Sequence, residues 1–196
     1  MIMKEIYHSA LFDELKGQIG VKRVDYQQST ALVYDVISDV VPNEFFDCDL
    51  IYTEPCWKDG FNKFNDRAGV TSSRTYQGYI ASMNDIILKL NVPTVVITGK
   101  HALRYWLQPN QMFESKLVHG SNCVALVYNF KLDRPYASVV DMLPELAAKF
   151  NKVGDFNCGY GYTGKIFAGC GKNFVISDYN AKCIGYISNN IKGWFK

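Results

Sequence analysis

The hydrophobic positions of this chain fall into short runs separated by polar segments, a pattern that predicts buried strands alternating with helices. Apolar runs rich in β-formers predict strands over residues 29–37, 48–53, 94–98, 122–130 and 173–178. From Tyr79 the apolar residues recur at helical spacing as far as Leu90, and Pro93 then ends that helix. A short helix is predicted over residues 101–107, and Ser138 is a candidate N-cap for a further helix.

This alternation predicts the α/β class, with a mixed, mostly parallel sheet flanked by helices. Residues 58–76 are polar and glycine-containing with little periodicity, so we expect a long surface loop there, and long loops in compact domains tend to be functional. A chain of 196 residues with 48% hydrophobic content is sized for a single domain over residues 1–196, in which we interpret residues 1–28 as an N-terminal extension.

Composition and charge exclude several classes of protein. No apolar run is long enough to cross a membrane and no secretory signal is evident, so we expect a soluble cytoplasmic protein without a membrane partner. The formal net charge is only +2, so any nucleic-acid contact must come from local clusters of basic residues. Six cysteines without a Cys-x-x-Cys spacing and three scattered histidines predict reduced packing residues and no metal site.

The first candidate for chemistry is the stretch DLIYTEPCW, in which a short apolar strand runs into Glu54, Pro55, Cys56 and Trp57. Pro55 cannot donate to a sheet ladder, so the strand must end there. An acid and an indole are then presented at the rim of the sheet, where open α/β sheets bind their ligands. The alternative is a strand-ending turn with a solvated glutamate and a rim tryptophan.

The second candidate lies in residues 153–187, where a short apolar segment leads into a Gly-x-Gly turn, a helix and the strand NFVISD. Glycines let the backbone approach a ligand, and an acid at the end of the next strand binds ribose hydroxyls in nucleoside-cofactor sites. Asp178 lies 17 residues after Gly161, near the usual interval of about 20. The alternative for Asp178 is a helix N-cap without a ligand.

The two candidates together resemble the amino-methylating DNA methyltransferases, which modify adenine N6 or cytosine N4 with S-adenosylmethionine. EPCW resembles the catalytic Asp-Pro-Pro-Tyr/Phe/Trp motif of that family, and Asp35 and Asp49 precede Glu54 at intervals typical of it. DFNCGYGYTGKIFAGCGKNFVISD resembles the cofactor motif Asp-Pro-Phe-Cys-Gly-Ser-Gly-Thr-Thr with its following helix and acidic strand end. The catalytic motif precedes the cofactor motif, which is the permuted order of one branch, and the resemblance spans residues 29–187.

The resemblance implies a Rossmann-like methyltransferase domain and a role for each site residue. Glu54 and the carbonyl of Pro55 would accept hydrogen bonds from the target amine, while Trp57 would stack on the extruded base. The cofactor-binding set implied by the resemblance is Asp35, Asp155, Phe156, Cys158, Gly159, Gly161 and Asp178. The nucleic-acid-binding set, for which a solvated loop face is the alternative, is Lys58, Lys63, Arg67 and Arg74.

The chain departs from the family pattern at four site positions: glutamate replaces aspartate at 54, cysteine replaces proline at 56, and Phe156 and Asn157 replace a Pro-Phe pair. We therefore expect adenine-N6 methylation of DNA and keep two alternatives, methylation of RNA or cytosine N4 and a non-catalytic relative that binds cofactor or nucleic acid. The chain has almost no room for a separate target-recognition domain, so we expect none. Restriction–modification or phage context, with the host cytoplasm as the location if the chain is viral, and homo-oligomerisation are left open.

Overall fold

A computed structural model of the chain describes residues 21–69 and 74–195. Within these ranges, eight strands form one sheet. The strands are β1 Arg23–Tyr26, β2 Ser29–Val33, β3 Leu50–Thr53, β4 Thr94–Thr98, β5 Gln111–Lys116, β6 Asn122–Tyr128, β7 Lys152–Asp155 and β8 Asn173–Asp178. Every predicted strand is present, although the strands predicted over 29–37 and 122–130 are shorter than expected. Strands β1 and β5, which are the two edges of the sheet, and the short strand β7 were not predicted as strands.

The helices that flank the sheet are α1 Lys58–Ala68, α2 Tyr76–Leu90, α3 Val139–Lys149, α4 Tyr162–Gly169 and α5 Ala181–Asn190. Short 3₁₀ helices span Asn43–Asp47, Lys100–Tyr105 and Ile191–Trp194. The prediction of an irregular loop over 58–76 is wrong for most of that range, because α1 occupies it and α2 begins at Tyr76. Residues 1–20 and 70–73 lie outside the described residues, and β1 falls within the predicted N-terminal extension.

The order of strands across the sheet is β1-β2-β8-β7-β3-β4-β6-β5. Strands β2, β8, β7, β3 and β4 run parallel, while β1, β6 and β5 join by antiparallel pairings. The chain moves from β7 outward to β8 on one side and from β3 outward to β4 on the other. The boundary between the neighbouring strands β7 and β3 is therefore the switch point, beyond whose carboxyl end an open α/β sheet has a crevice for a ligand.

Each face of the sheet carries its own hydrophobic core. One core packs α3, α4 and α5 against the side chains of Leu50, Tyr52 and Val153, and the other packs α2 against Ile51 and Val96. The central strands are buried on both faces, which is why they read as continuous apolar runs. The fold is thus the predicted α/β architecture, a mixed and mostly parallel sheet flanked by helices.

Candidate active site at the switch point

A cavity of about 230 Å³ opens at the carboxyl ends of β3, β7 and β8. Both sequence candidates meet there, since Glu54 follows β3 and Asp178 ends β8. The lining residues are Glu54, Cys56, Phe64, Asp155, Asn157, Cys158, Gly159, Tyr160, Tyr162, Thr163, Asp178, Tyr179, Asn180 and Cys183. Residues separated by more than 120 positions in the chain thus form one site because parallel strands end at the same edge of the sheet.

Asp178 ends β8 and holds the glycine-containing loop in place. Its carboxylate accepts the backbone N–H of Gly159 at 3.0 Å and that of Asn180 at 2.8 Å. Gly159 has a φ of 50°, in the left-handed region that glycine tolerates best. A carboxylate has about four lone-pair sites, so Asp178 retains acceptor capacity toward the cavity. The helix N-cap of α5 is Asn180, so the alternative prediction that Asp178 is this N-cap is wrong.

Asp155 ends β7 on the floor of the cavity. One carboxylate oxygen accepts the backbone N–H of Asn157 at 3.0 Å, and Thr53 and Thr163 also hydrogen-bond this carboxyl group. Burial raises the pKa of Asp155 to about 7 against the lowering effect of these hydrogen bonds. The group is therefore poised to change charge when a cationic ligand enters the cavity.

Asn157 ties the two halves of the site together, a role that the sequence did not predict. Its side-chain nitrogen donates to Thr53 Oγ1 at 3.0 Å at the end of β3, and its side-chain oxygen accepts the hydroxyl of Tyr79 from α2. Asn157, one of the residues that depart from the family motif, is thus a polar cross-link between β3, β7 and α2. No sequence signal marked it, because Asn157 and Thr53 are far apart in the chain.

Glu54 lies just beyond the end of β3 and reaches back along its own strand. The hydroxyl of Tyr52, two residues earlier and on the same face, donates to Glu54 Oε1. Burial raises the pKa of Glu54, and the Tyr52 hydrogen bond opposes that rise. This buried, hydrogen-bonded carboxyl group lining a cavity does not fit the alternative of a solvated turn residue.

The cavity is acidic and contains no compensating cation. Glu54, Asp155 and Asp178 all line it, and none of its described lining residues is lysine, arginine or histidine. Burial raises the pKa of Asp178 to about 6, as it raises that of the other two carboxyl groups. The thiol of Cys56, whose pKa burial raises to about 12, stays protonated at neutral pH and adds no anion. A cationic ligand is therefore favoured here and a phosphate is disfavoured.

The residues of the predicted cofactor loop divide between the cavity wall and positions outside the cavity. Cys158 and Gly159 line the cavity as expected. Phe156 instead points into the core, where its ring centroid is 4.3 Å from that of Phe45. Gly161 lies behind the cavity as the N-cap of α4.

The remaining residues of the catalytic stretch also lie around the cavity instead of lining it. Pro55 is buried beside it, between Glu54 and Cys56. Trp57 is the N-cap of α1, and its ring lies 6.3 Å from that of His101 at the rim.

The aspartates that the sequence matched to the family intervals have structural partners. Asp35 accepts the N–H of Ile37 at 3.0 Å in the turn after β2 and forms an ion pair with Arg74 outside the main cavity. Asp49 accepts the backbone N–H groups of Asn151 and Lys152 at 2.8 and 2.9 Å, and so aligns β7 with β3.

The four basic residues predicted to bind nucleic acid differ in how exposed their side chains are and in what those side chains contact. Arg74 is mostly buried in its ion pair with Asp35. Arg67 lies over the ring of Phe64, with 5.8 Å between its guanidinium carbon and the ring centroid. Lys58 and Lys63 are exposed on α1.

The strand order, with a switch point between β7 and β3 and a cavity at the carboxyl ends of the strands there, defines an open, Rossmann-like α/β fold. The crystal structure of M1.HpyAVI is similar, with a TM-score of 0.52 and 12% sequence identity over 82% of this chain and 97% of that chain. The crystal structure of the M1.HpyAVI–SAM complex is similar too, with a TM-score of 0.51 and 13% identity over 81% and 98%. Identities this low establish the fold alone.

Searches by sequence add no relative to these structures, since no family profile and no curated protein matches the chain. Among the described residues there is neither a cluster of side chains able to hold a metal ion nor a helix long and apolar enough to span a membrane.

Proposed function

We propose that this protein transfers a methyl group from S-adenosylmethionine to an exocyclic amine of a nucleic-acid base, with adenine N6 in DNA as the leading target. The observation that carries the proposal is the cavity lined by the buried Asp155 and Asp178 and the partly buried Glu54, and by no described basic side chain. S-adenosylmethionine carries a sulfonium and an ammonium group, so it matches this charge pattern, whereas dinucleotide or nucleoside-triphosphate cofactors bring phosphates that such a cavity repels. The similar structure of M1.HpyAVI was solved as a complex with SAM.

The residues present fit this cofactor. Asp178 has lone pairs left after accepting two backbone N–H groups, and these suit the vicinal hydroxyls of a ribose. Asp155, with its pKa raised to about 7, would pair with the ammonium group once ionised. Cys158 and Gly159 bring backbone to the cavity wall, and Gly161 shapes the loop behind them. When bound, the cofactor supplies an electrophilic methyl group.

The chain's own contribution to chemistry is to hold and align the target amine. The lone pair of an exocyclic amine is delocalised into the base, so acceptors for its hydrogens are needed to turn that lone pair toward the methyl group. Glu54 and the carbonyl of Pro55 are the proposed acceptors. Tyr52 holds the Glu54 carboxylate from behind through its hydroxyl. Ionised Glu54 is purely an acceptor, so Tyr52, whose hydrogen bond lowers the pKa of Glu54, favours the protonation state with the greater acceptor capacity.

The same acceptors serve cytosine N4 or a base in RNA, and these remain the alternative substrates. Trp57 is proposed to contact the target base at the rim, beside His101, since it does not line the cavity itself. A base in a duplex must leave the stack to reach a site at this depth.

Calorimetric titration with S-adenosylmethionine and its demethylated product tests the cofactor half of the proposal. We expect the wild-type protein to bind both and Asp178→Asn to bind at least about tenfold more weakly, the scale of a lost charge-assisted hydrogen bond. Asp85→Asn is the matched control, because Asp85 is exposed on α2 and carries the same charge change. Folded wild-type protein that binds neither compound would overturn the proposal.

A further inference from the structure

Positive charge in this chain is concentrated in its last quarter. Residues 156–196 contain five lysines and a single acidic residue, Asp178. The whole chain has 21 basic and 19 acidic residues, so the other 155 positions hold 16 basic and 18 acidic ones. Asp178 is buried in the cofactor cavity, which leaves the surface of α4, α5 and the last 3₁₀ helix with lysines as its charged groups.

One of these lysines, Lys165, lines a second cavity of about 200 Å³, and Lys182 and Lys192 lie within four residues of Tyr186 and Gly193, which line it. Lys182, Tyr186 and Asn190 recur at four-residue spacing on α5 and therefore share one face of that helix. Tyr162 and Lys165 share a face of α4 in the same way. The residues lining the cavity are Tyr160, Tyr162, Lys165, Tyr186, Asn190, Gly193 and Trp194. Lys192 adjoins Gly193 in the chain.

This second cavity shares a wall with the candidate active site. Tyr160 and Tyr162 line both cavities. Tyr160 packs edge-on against Tyr186, with ring centroids 5.1 Å apart and planes inclined by 72°. Asn180, the N-cap of α5 and two residues before Lys182, lines the active-site cavity. A chain leaving the active site therefore has a continuous path of aromatic and polar side chains toward α5.

The α4–α5 face comprises Tyr162 and Lys165 of α4 and Lys182, Tyr186 and Asn190 of α5. In an inference that rests on the proposed function, we propose that this face is the substrate-strand site, at which a nucleotide next to the target base is held. Aromatic faces of Tyr162 and Tyr186 would stack on its base, and Lys165, Lys182 and Lys192 would contact flanking phosphates. The free carbonyl oxygen of the Asn190 side chain, whose nitrogen donates to Tyr186 O at 2.8 Å, would meet a base edge.

The unpaired charges of this face, within the described part of the chain, distinguish it from the other basic residues near the active site. None of the three lysines takes part in an ion pair among the described residues, so their charges are available. Among the other basic residues near the active site, Arg74 pairs with Asp35, and the exposed Lys58 and Lys63 on α1 line neither cavity. The acidic cavity suits the cationic cofactor, and the adjoining basic, aromatic face suits the anionic strand. Each ligand is thereby directed to its own site.

Fluorescence anisotropy with a labelled single strand of twelve thymidines, titrated at several salt concentrations, tests the electrostatic part. The test protein carries Lys165→Gln, Lys182→Gln and Lys192→Gln. The control carries Lys89→Gln, Lys116→Gln and Lys131→Gln, which remove the same charge from exposed positions on other elements. We expect the test protein to lose about tenfold or more in affinity and about 2 in the slope of log K against log salt, at roughly 0.7 per lost phosphate contact.

A strand of the same length with abasic sugars tests the stacking part. We expect wild-type protein to bind it at least about fivefold more weakly than the thymidine strand, as stacked bases on aromatic side chains require. Tyr186→Ala should lose this discrimination, while Tyr186→Phe, which keeps the ring, should retain it. Melting temperatures of the variants establish that each is folded.

Two results overturn the inference: equal losses in the test and control proteins, or equal wild-type affinity for the thymidine and abasic strands. Calorimetry with S-adenosylmethionine on the same variants separates this failure from failure of the proposed function. None of the three lysines lines the acidic cavity, so cofactor affinity should be unchanged. Wild-type protein that binds strands through this face but binds no cofactor would instead contradict the proposed function.

Discussion

The proposed chemistry depends on the protonation state of three carboxyl groups. Glu54, Asp155 and Asp178 are held in one low-dielectric cavity, and burial raises the pKa of each. Glu54 has a hydroxyl donor in Tyr52, Asp178 has backbone donors, and Asp155 has a backbone donor together with Thr53 and Thr163. The proposed function assigns them different tasks, with Glu54 facing the substrate and the two aspartates facing the cofactor.

Glu54→Gln should lower turnover by roughly 10²-fold or more, the scale of losing one preorganised electrostatic group, while cofactor affinity barely changes. The reason is that its hydrogen bonds form with the target amine and strengthen as the methyl group transfers. Single-turnover methylation and calorimetry measure the two quantities separately. Equal methylation rates for Glu54→Gln and wild type would mean that EPCW is only a strand-ending turn.

Glu54→Asp is a sharper probe of how this site departs from the family motif. Activity equal to or above wild type would indicate an ordinary amino-methylating site, and a large loss would indicate a pocket built around the longer acid. The Tyr52 hydroxyl reaches Oε1 of the present side chain, so shortening it breaks that hydrogen bond. We therefore expect a loss, accompanied by a shift of the activity profile toward higher pH.

The pKa of Asp155 gives a pH dependence of defined sign. Its folded pKa of about 7 lies above the usual value near 4, so the free protein binds more protons than the unfolded chain between these values. The stability of the ligand-free protein therefore falls as pH rises from about 4 to about 7. Cofactor binding has the opposite dependence, because only ionised Asp155 attracts the ammonium group.

We thus expect affinity for S-adenosylmethionine to weaken as pH falls from 8 to 6, and Asp155→Asn to abolish most of that dependence. Asp155→Asn should also raise the melting temperature of the free protein at pH 8, since it removes a buried charge. Calorimetry and thermal denaturation at matched pH values measure both effects. Affinity that is independent of pH in wild-type protein would place Asp155 outside the cofactor site.

At the scale of elements, the loop between β7 and α4 depends on one glycine. Gly161 has a φ of 81°, and a Cβ atom built there would lie 2.4 Å from Trp194 Cη2. Gly161→Ala should lower the free energy of unfolding by at least about 1–3 kcal/mol, the cost of a strained backbone position, with the clash adding to it. Chemical denaturation measures this change.

Gly169→Ala is the control for that substitution. Gly169 also lies on α4, but it has no positive φ and no atom within 4 Å of a built Cβ. Alanine there should be neutral or slightly stabilising, because glycine is the weaker helix former. Similar losses at positions 161 and 169 would contradict the role given to the left-handed turn.

The elements that could be predicted are those whose buried positions give a regular pattern of apolar residues in the sequence. Parallel strands buried on both faces appear in the sequence as apolar runs. Because the run of β8 was recognisable, the acid at its end, Asp178, could be placed at the edge of the sheet. Helix α1 was missed because its eleven residues are mostly polar, with Phe61 and Phe64 as its apolar contacts. Asn157 was assigned no role and Phe156 the wrong surroundings, because a turn after a strand does not reveal which of two adjacent side chains enters the core.

At the scale of the whole molecule, charge is separated between two adjoining sites, an acidic cavity and a basic face. The described residues form a single sheet with its helices, and no second unit follows or interrupts it there. Base readout would then rest on a few side chains, so methylation by this chain alone should show a short or relaxed sequence preference. Sequencing of methylated random duplexes measures it, and a strict site of about six or more defined bases would contradict the expectation.

The most direct test of the central claim is transfer of a labelled methyl group from S-adenosylmethionine to duplex DNA, single-stranded DNA, RNA and free nucleosides in parallel, with the product bases identified by mass. We predict N6-methyladenine in DNA from wild-type protein and at least about 10²-fold less from Glu54→Gln. N4-methylcytosine or methylated RNA would keep the site and change its substrate. Wild-type protein that binds the cofactor but labels none of these substrates would contradict the account.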